Sequence, residues 1–257
     1  MKVLLVSKEK TRENSRRNKK PAFSVVAYIV NTGQKKFSCN FGTIDLTKAK
    51  VGKKIKTNTG TEFLVLEPNV TDLLKKAGRG PQIITEKDMA QVAAVTGIAN
   101  GWKCLDAGSG SGFASIMLAN FVRPAGSVVT YEKLERNYNI AKKNVEYCGL
   151  EKIIKLKNKP AEQFVEKNLD LIHLDMPLAE KLVKKCYAAL KSGGWLCVYS
   201  PHIEQQIRAR SAMEKNGFIM IKTMETIQRN WSSLKGFTHP RPSGIVHTGF
   251  ITFGRKF

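Results

Sequence analysis

No apolar run in the chain is long enough to cross a bilayer as a helix. No signal peptide is expected either: residues 1–6 are apolar, but Lys8, Glu9 and Lys10 follow at once. Cysteine is scarce. The five thiols, at positions 39, 104, 148, 186 and 197, stand singly with no Cys-x-x-Cys pair. That argues against a paired-thiol zinc site or a disulfide scaffold and points to a reducing cytoplasm. An odd count leaves at least one thiol unpaired within a monomer, and Cys104 and Cys197 sit in apolar runs as small core residues. The four histidines offer no pair at metal-ligand spacing, so no metal is expected, and no Ser/His/Asp triad is legible.

Acidic residues are also short in number. Asp and Glu total 21 against 43 Lys and Arg, a formal charge of +22. Such an excess repels itself unless a polyanion answers it. Basic residues concentrate at 8–20, 48–56, 152–159 and 181–185. Together they favour nucleic acid over a small metabolite, and no amphipathic helix with a basic face suggests a membrane surface. Neutralising six to ten phosphates would cost roughly 10³–10⁵ in affinity between 50 and 200 mM salt.

At 257 residues with 42% hydrophobic content, the chain can build one large or two modest domains. Residues 1–75 alternate short strand-like runs, at 23–30, 36–41 and 62–66, with turns, which reads as a small β domain. A short helix is expected at 70–77. From residue 76 to 257 the pattern becomes strand then helix. A helix at 86–96 has Thr85 as its expected N-cap, with Asp88 three residues on as a near capping box. Strands are expected near 103–106, 127–132, 153–158, 169–175 and 195–201, with helices near 112–121, 134–147, 178–190 and 203–215. Two extended segments, 218–227 and 249–253, read as a closing antiparallel pair. The fold class is therefore α/β: a doubly wound, Rossmann-like sheet with an antiparallel C-terminal hairpin, plus the N-terminal β domain.

The most specific stretch runs from Leu105 through Asp106, Ala107, Gly108, Ser109, Gly110 and Ser111 to Gly112, between an apolar strand end and a helix. The glycines permit a sharp turn and close approach to a ligand, and the helix offers free N–H groups. Twenty residues after Gly112, Glu132 closes the next apolar run, where a carboxylate suits a ribose diol. Two features favour S-adenosylmethionine over a dinucleotide. Asp106 would repel a pyrophosphate but could receive the cationic amino-acid end of S-adenosylmethionine. The third glycine also arrives one residue early, with Ser111 in the gap of Gly-x-Gly-x-x-Gly. A nicotinamide oxidoreductase is disfavoured on the same grounds.

Ligands in such sheets bind beyond the carboxyl ends of the strands, where Asp106, Glu132, Asn158 and Asp175 are expected. Asp175 opens Asp-Met-Pro-Leu, and its plainer reading is a helix cap ahead of Pro177. Enzymes that methylate an exocyclic amine often carry Asp or Asn, two prolines and an aromatic here. Met176 and Leu178 depart from that pattern, and no stacking ring is present. A ring nitrogen fits better. Adenine N1 has a free lone pair, its methylation creates a cation, and Asp175 could accept the N6–H and stabilise that charge. Reaching N1 requires the base to leave its stack.

These residues, with Arg79-Gly80-Pro81-Gln82-Ile83-Ile84 and the tail Arg241-Pro242 through His247-Thr248-Gly249-Phe250, resemble the tRNA (adenine-N1)-methyltransferases acting on the T-loop, particularly the archaeal branch. The resemblance covers most of the chain. It implies a tRNA substrate methylated at position 58, with 57 a second target in archaeal members, and a homotetramer. It implies that Gln82, Ile83 and Ile84 line the cofactor or acceptor pocket. Glu132 would hold the ribose, Gly108, Gly110, Ser111 and Gly112 would cradle the cofactor, and Asp175 would be the catalytic carboxylate. Two positions depart from the family pattern. Asn158 stands where an Asp usually binds the adenine amino group, and Thr85 where a ring would lie near the target base. The alternatives are a tRNA-binding partner subunit without chemistry and a methyltransferase of this fold with another acceptor.

Overall fold

The computed structural model describes residues 1–10, 23–80, 83–234, 237–242, 244 and 246–257. Gln82 and most of the basic stretch 8–20, from Thr11 onward, lie outside the described residues. The chain divides into two compact units, Met1–Lys76 and Ala77–Phe257.

The first unit is a small β fold. Strands β1 (Lys2–Lys10), β2 (Phe23–Asn31), β3 (Lys36–Cys39), β4 (Gly42–Asp45), β5 (Lys54–Lys56) and β6 (Glu62–Leu66) form an antiparallel sheet ordered β2-β1-β6-β5 and a separate β3-β4 hairpin. In β1, Val3 and Leu5 alternate inward with period two onto Ile44, Phe63 and Val65, ringed by Tyr28, Phe37 and Phe41. Ser7 continues that inward row, and its hydroxyl donates to the Glu62 carbonyl at 2.7 Å. Helix α1 (Val70–Leu74) follows a capping box in which Asn69 and Asp72 exchange hydrogen bonds at 2.9 and 3.1 Å. It is shorter than the expected 70–77, because Lys76 N–H reaches only back to the Leu73 carbonyl, a tighter turn.

The second unit alternates strands and helices: α2 (Glu86–Thr96), β7 (Lys103–Ala107), α3 (Phe113–Val122), β8 (Ser127–Tyr131), α4 (Glu135–Cys148), β9 (Ile154–Lys157), β10 (Leu169–Leu174), α5 (Val183–Ala189), β11 (Leu190–Ser200), α6 (Ile203–Lys215), β12 (Phe218–Glu225), β13 (Trp231–Leu234), β14 (Phe237–Pro240) and β15 (Phe250–Lys256). Seven strands pair in the order β12-β15-β11-β10-β7-β8-β9. The five strands β7 to β11 run parallel, and β15 is antiparallel to both its neighbours. The chain leaves β7 toward β8 and β9, then returns to place β10 and β11 on the other side. The order therefore reverses between β7 and β10, which opens a ligand crevice at their carboxyl ends. Leu105, Ile172, Leu174, Leu196 and Val198 are buried along these strands, and each fully buried side chain contributes about 1.5–3 kcal/mol.

Three expectations need correction. The expected closing pair forms, β12 antiparallel to β15, but not as a simple hairpin: β15 inserts between β12 and β11, with the β13-β14 hairpin in the intervening chain. The helix expected at 178–190 splits into a 3-10 turn, Ala179–Leu182, and α5, because Leu178 takes a left-handed conformation after Pro177. The capping box expected at α2 does not form. Thr85 donates its hydroxyl to the Asp88 carboxylate at 2.7 Å instead of accepting from the backbone.

Candidate active site

The carboxyl ends of β7, β8 and β10 meet at the glycine turn, held by backbone bonds. Gly108 N–H donates to the Asp175 carbonyl at 3.2 Å, and Asp175 N–H donates to the Ala107 carbonyl at 2.6 Å. Ser109 N–H reaches the Tyr131 carbonyl at 2.9 Å. A Cβ at Gly108 would lie 3.6 Å from the Glu132 carboxylate and 3.7 Å from the Asp175 carbonyl. A side chain there would fill the space between the Glu132 carboxylate and the backbone at Asp175. Gly112 turns at φ +85, and a Cβ on it would lie 3.3 Å from that of Ala141, so α4 packs directly under the turn.

Glu132 is buried just beyond β8. Its two carboxylate oxygens accept N–H groups from Gly110 and Leu134, each at 2.9 Å. That fixes the carboxylate between the turn and the start of α4 and leaves each oxygen a further lone pair. Asn158, just beyond β9, donates its amide to the Glu132 carbonyl at 2.8 Å, so its own carbonyl oxygen remains an acceptor. The Ser111 hydroxyl is buried and has no hydrogen-bond partner among the described residues. An acidic residue suited to a diol, a side-chain carbonyl, an orphaned hydroxyl and an open glycine turn fit the ribose, amine and carboxylate groups of S-adenosylmethionine. Ile83 is half-buried and Ile84 buried, immediately before Thr85.

Asp106 is buried behind the turn, bonded to protein groups. Its side chain is 0% exposed, and its carboxylate accepts Ser115 Oγ–H, Thr130 Oγ1–H at 3.0 Å and His173 Nδ1–H at 2.8 Å. It faces the interior and ties β7, α3, β8 and β10 together behind the turn. Burial alone would push His173 toward neutrality, but the Asp106 carboxylate on Nδ1, with Asp175 further off, outweighs it and raises the pKa of the ring.

Asp175 is half-buried at the end of β10. Burial pushes its carboxyl up to about 6, with His173 pulling it down and Asp106 raising it. A carboxylate in this range at a crevice can accept a hydrogen bond or hold a proton near neutrality.

Several contributors escaped the sequence. Ser115, Thr130 and His173 build the Asp106 network, and Asn144 on α4 joins the turn to residues 78–80. Their signals were present: His173 is the one imidazole in an apolar strand, and Asn144 shares the buried stripe of Ala141 and Val145. A second cleft, about 310 Å³, is lined by Thr85, Lys87, Asn230, Arg241 and Thr248. Lys87 bonds Asp88, the Thr226 carbonyl and Thr248 at its floor, so it supports the wall rather than offering a free charge. His247 is hydrogen-bonded at both ring nitrogens. Its Nδ1 meets the Glu225 carboxylate at 2.6 Å and its Nε2 the Pro201 carbonyl at 2.9 Å. Both bonds raise its pKa.

The fold and the crevice define a Rossmann-like, S-adenosylmethionine-dependent methyltransferase. Among solved structures the chain resembles an S-adenosylmethionine-dependent O-methyltransferase from Thermotoga maritima (TM-score 0.79, 27% identity, 99% of this chain and 92% of the other). It also resembles the tRNA (m1A58) methyltransferase TrmI from Aquifex aeolicus (TM-score 0.75, 21% identity, 99% and 96%). The chain belongs to the family described as the GCD14 subunit of the tRNA methyltransferase complex, whose profile matches residues 74–236. A relative from Methanocaldococcus jannaschii, the tRNA (adenine(57)-N(1)/adenine(58)-N(1))-methyltransferase TrmI, is 29% identical over 255 residues, covering 89% of this chain and 90% of its own.

Proposed function

We propose that this chain is an enzyme that methylates N1 of a T-loop adenine in tRNA, at position 58 with 57 as a second target. The observation that carries the reading is the Glu132 carboxylate and the Asp175 backbone carbonyl flanking Gly108 at the reversal of strand order. S-adenosylmethionine bound there supplies an electrophilic methyl group on a sulfonium sulfur. Glu132 holds the ribose diol, the Asn158 carbonyl receives the cofactor's adenine amino group, and Ile83 and Ile84 close the apolar side. Adenine N1 carries its own lone pair, so no base is needed to make it a nucleophile. Asp175 accepts the N6–H of the target base, orients the ring, and stabilises the positive charge that develops as N1 is methylated. Ionised Asp175 is the working form, and turnover falls as pH drops through about 6. The net charge of +22 suits a polyanionic substrate. A cytoplasmic location, tRNA binding by the first unit and a homotetramer belong to the same reading.

The likeness to an O-methyltransferase favours a second reading, in which Asp175 takes a proton from an acceptor hydroxyl. One assay separates the two: methyl transfer from labelled S-adenosylmethionine to an unmodified tRNA transcript, mapped by reverse transcription. N1-methyladenine blocks the pairing edge, so a stop at a T-loop adenine is expected. Binding of tRNA and cofactor without a stop would move the acceptor elsewhere.

A further inference from the structure

We propose that Asn144 is a positioning residue of the cofactor site, clamping the strap Gly78–Gly80 onto the glycine turn; this rests on the S-adenosylmethionine reading above. Asn144 is 3% exposed on the inner face of α4. Its carboxamide reads both polar groups of one residue 66 positions away: Gly78 N–H donates to Oδ1 at 2.8 Å, and Nδ2 donates to the Gly78 carbonyl at 2.7 Å. The same Nδ2 donates to the Ser111 carbonyl at 2.8 Å. Both of its N–H groups and its oxygen are thus used, pairing with the strap much as a neighbouring strand would.

No other side chain reproduces this set. Aspartate would accept from Gly78 N–H but would set its second oxygen against two carbonyls, and glutamine is one methylene too long for a packed site. The clamp brings strap and turn into contact. A Cβ at Gly80 would lie 3.4 Å from the Ser111 Cβ, while Ala141, one helical turn before Asn144, packs under Gly112. A cleft of about 610 Å³ opens beside the strap, lined by Arg79, Gly80, Leu134, Arg136, Asn137 and Ile140. Leu134 is the residue whose N–H holds Glu132. One carboxamide therefore sets the position of the strap that leads to Ile83 and Ile84 relative to the turn and Glu132. A bond network serving only the fold of α4 would have no need to reach two distant backbone segments at once.

The test uses the whole chain with Asn144→Asp and Asn144→Ala, and exposed Lys142→Ala as control. Titration with S-adenosylhomocysteine by calorimetry reads the site without turnover. Dissociation constant and KM for S-adenosylmethionine are expected to rise about tenfold, the equivalent of one to two lost hydrogen bonds. At saturating cofactor, kcat should stay within about threefold, and amide exchange at Gly78 should accelerate. Wild-type affinity and exchange in both variants would overturn the role. So would parallel loss of affinity, kcat and melting temperature, which marks a plain folding residue. Should the variants not fold, exchange in the wild-type protein decides: protection at Gly78 must rise when S-adenosylhomocysteine binds, and no change contradicts the clamp. Wild-type protein that binds no S-adenosylhomocysteine overturns the cofactor reading itself, and this role with it.

Discussion

The two units bury different things. The first closes over aliphatic and aromatic side chains, and its buried polar side chains among the described residues are two hydroxyls, Ser7 and Thr57. The second buries Asp88, Asp106, Glu132, Asn144, His173 and Gln206 inside an equally apolar sheet. Taking such groups out of water is costly unless each is hydrogen-bonded. In the second unit most of them gather behind and beside one glycine turn, where they fix the backbone that faces a ligand. Polarity buried in one place, against the general preference for apolar packing, separates a unit whose interior supports a ligand-facing turn from one whose interior is packed mainly with apolar side chains.

Removing the central member of that network should have the largest effect. Asp106→Ala strands His173 and two hydroxyls in the interior, and an expected loss of about 3–5 kcal/mol would appear as a large drop in denaturant midpoint. A loss below about 1 kcal/mol would mean the network is dispensable and the contrast between the units is superficial. Glu132→Gln keeps shape but sets an amide against an N–H donor. It should weaken S-adenosylmethionine binding about tenfold or more, read by calorimetry, with stability reduced by less than in Asp106→Ala. Unchanged affinity would remove Glu132 from the cofactor site. In the first unit, Ser7→Ala loses a single bond to the Glu62 carbonyl and should cost about 1 kcal/mol in the same denaturation experiment, without changing cofactor affinity.

Much of this architecture was legible in the residues. The alternation of apolar strands with helices, the glycine turn, Glu132 and Asp175 come from local patterns that the backbone obeys. What was not legible has identifiable causes. β7 is buried on both faces, so alternation carries no information about which way Asp106 points. The start of β11 was hidden because Ser192, Gly193 and Gly194 look like a turn. In the sheet they form an irregularity, with Leu169 opposite Leu190 but Leu171 opposite Trp195. The insertion of β15 between β12 and β11 is a long-range pairing that no local pattern encodes. Asn144 was visible only as a polar residue in a buried stripe, and its partners lie 66 and 33 residues away.

The account assigns chemistry to Asp175 and support to the groups behind it, and the sign of its ionisation allows a direct test. Its carboxyl is raised to about 6, so the protonated form stabilises the fold fully below about 4, and that contribution is lost as pH rises through about 6. Asp175→Asn should therefore melt at or above the wild-type temperature at pH 7. The decisive measurement is turnover on tRNA and S-adenosylmethionine affinity for Asp175→Asn side by side. The account predicts a rate reduced about 10²–10³-fold with affinity within a few fold. Equal losses in rate and affinity, or a rate left intact, would contradict it.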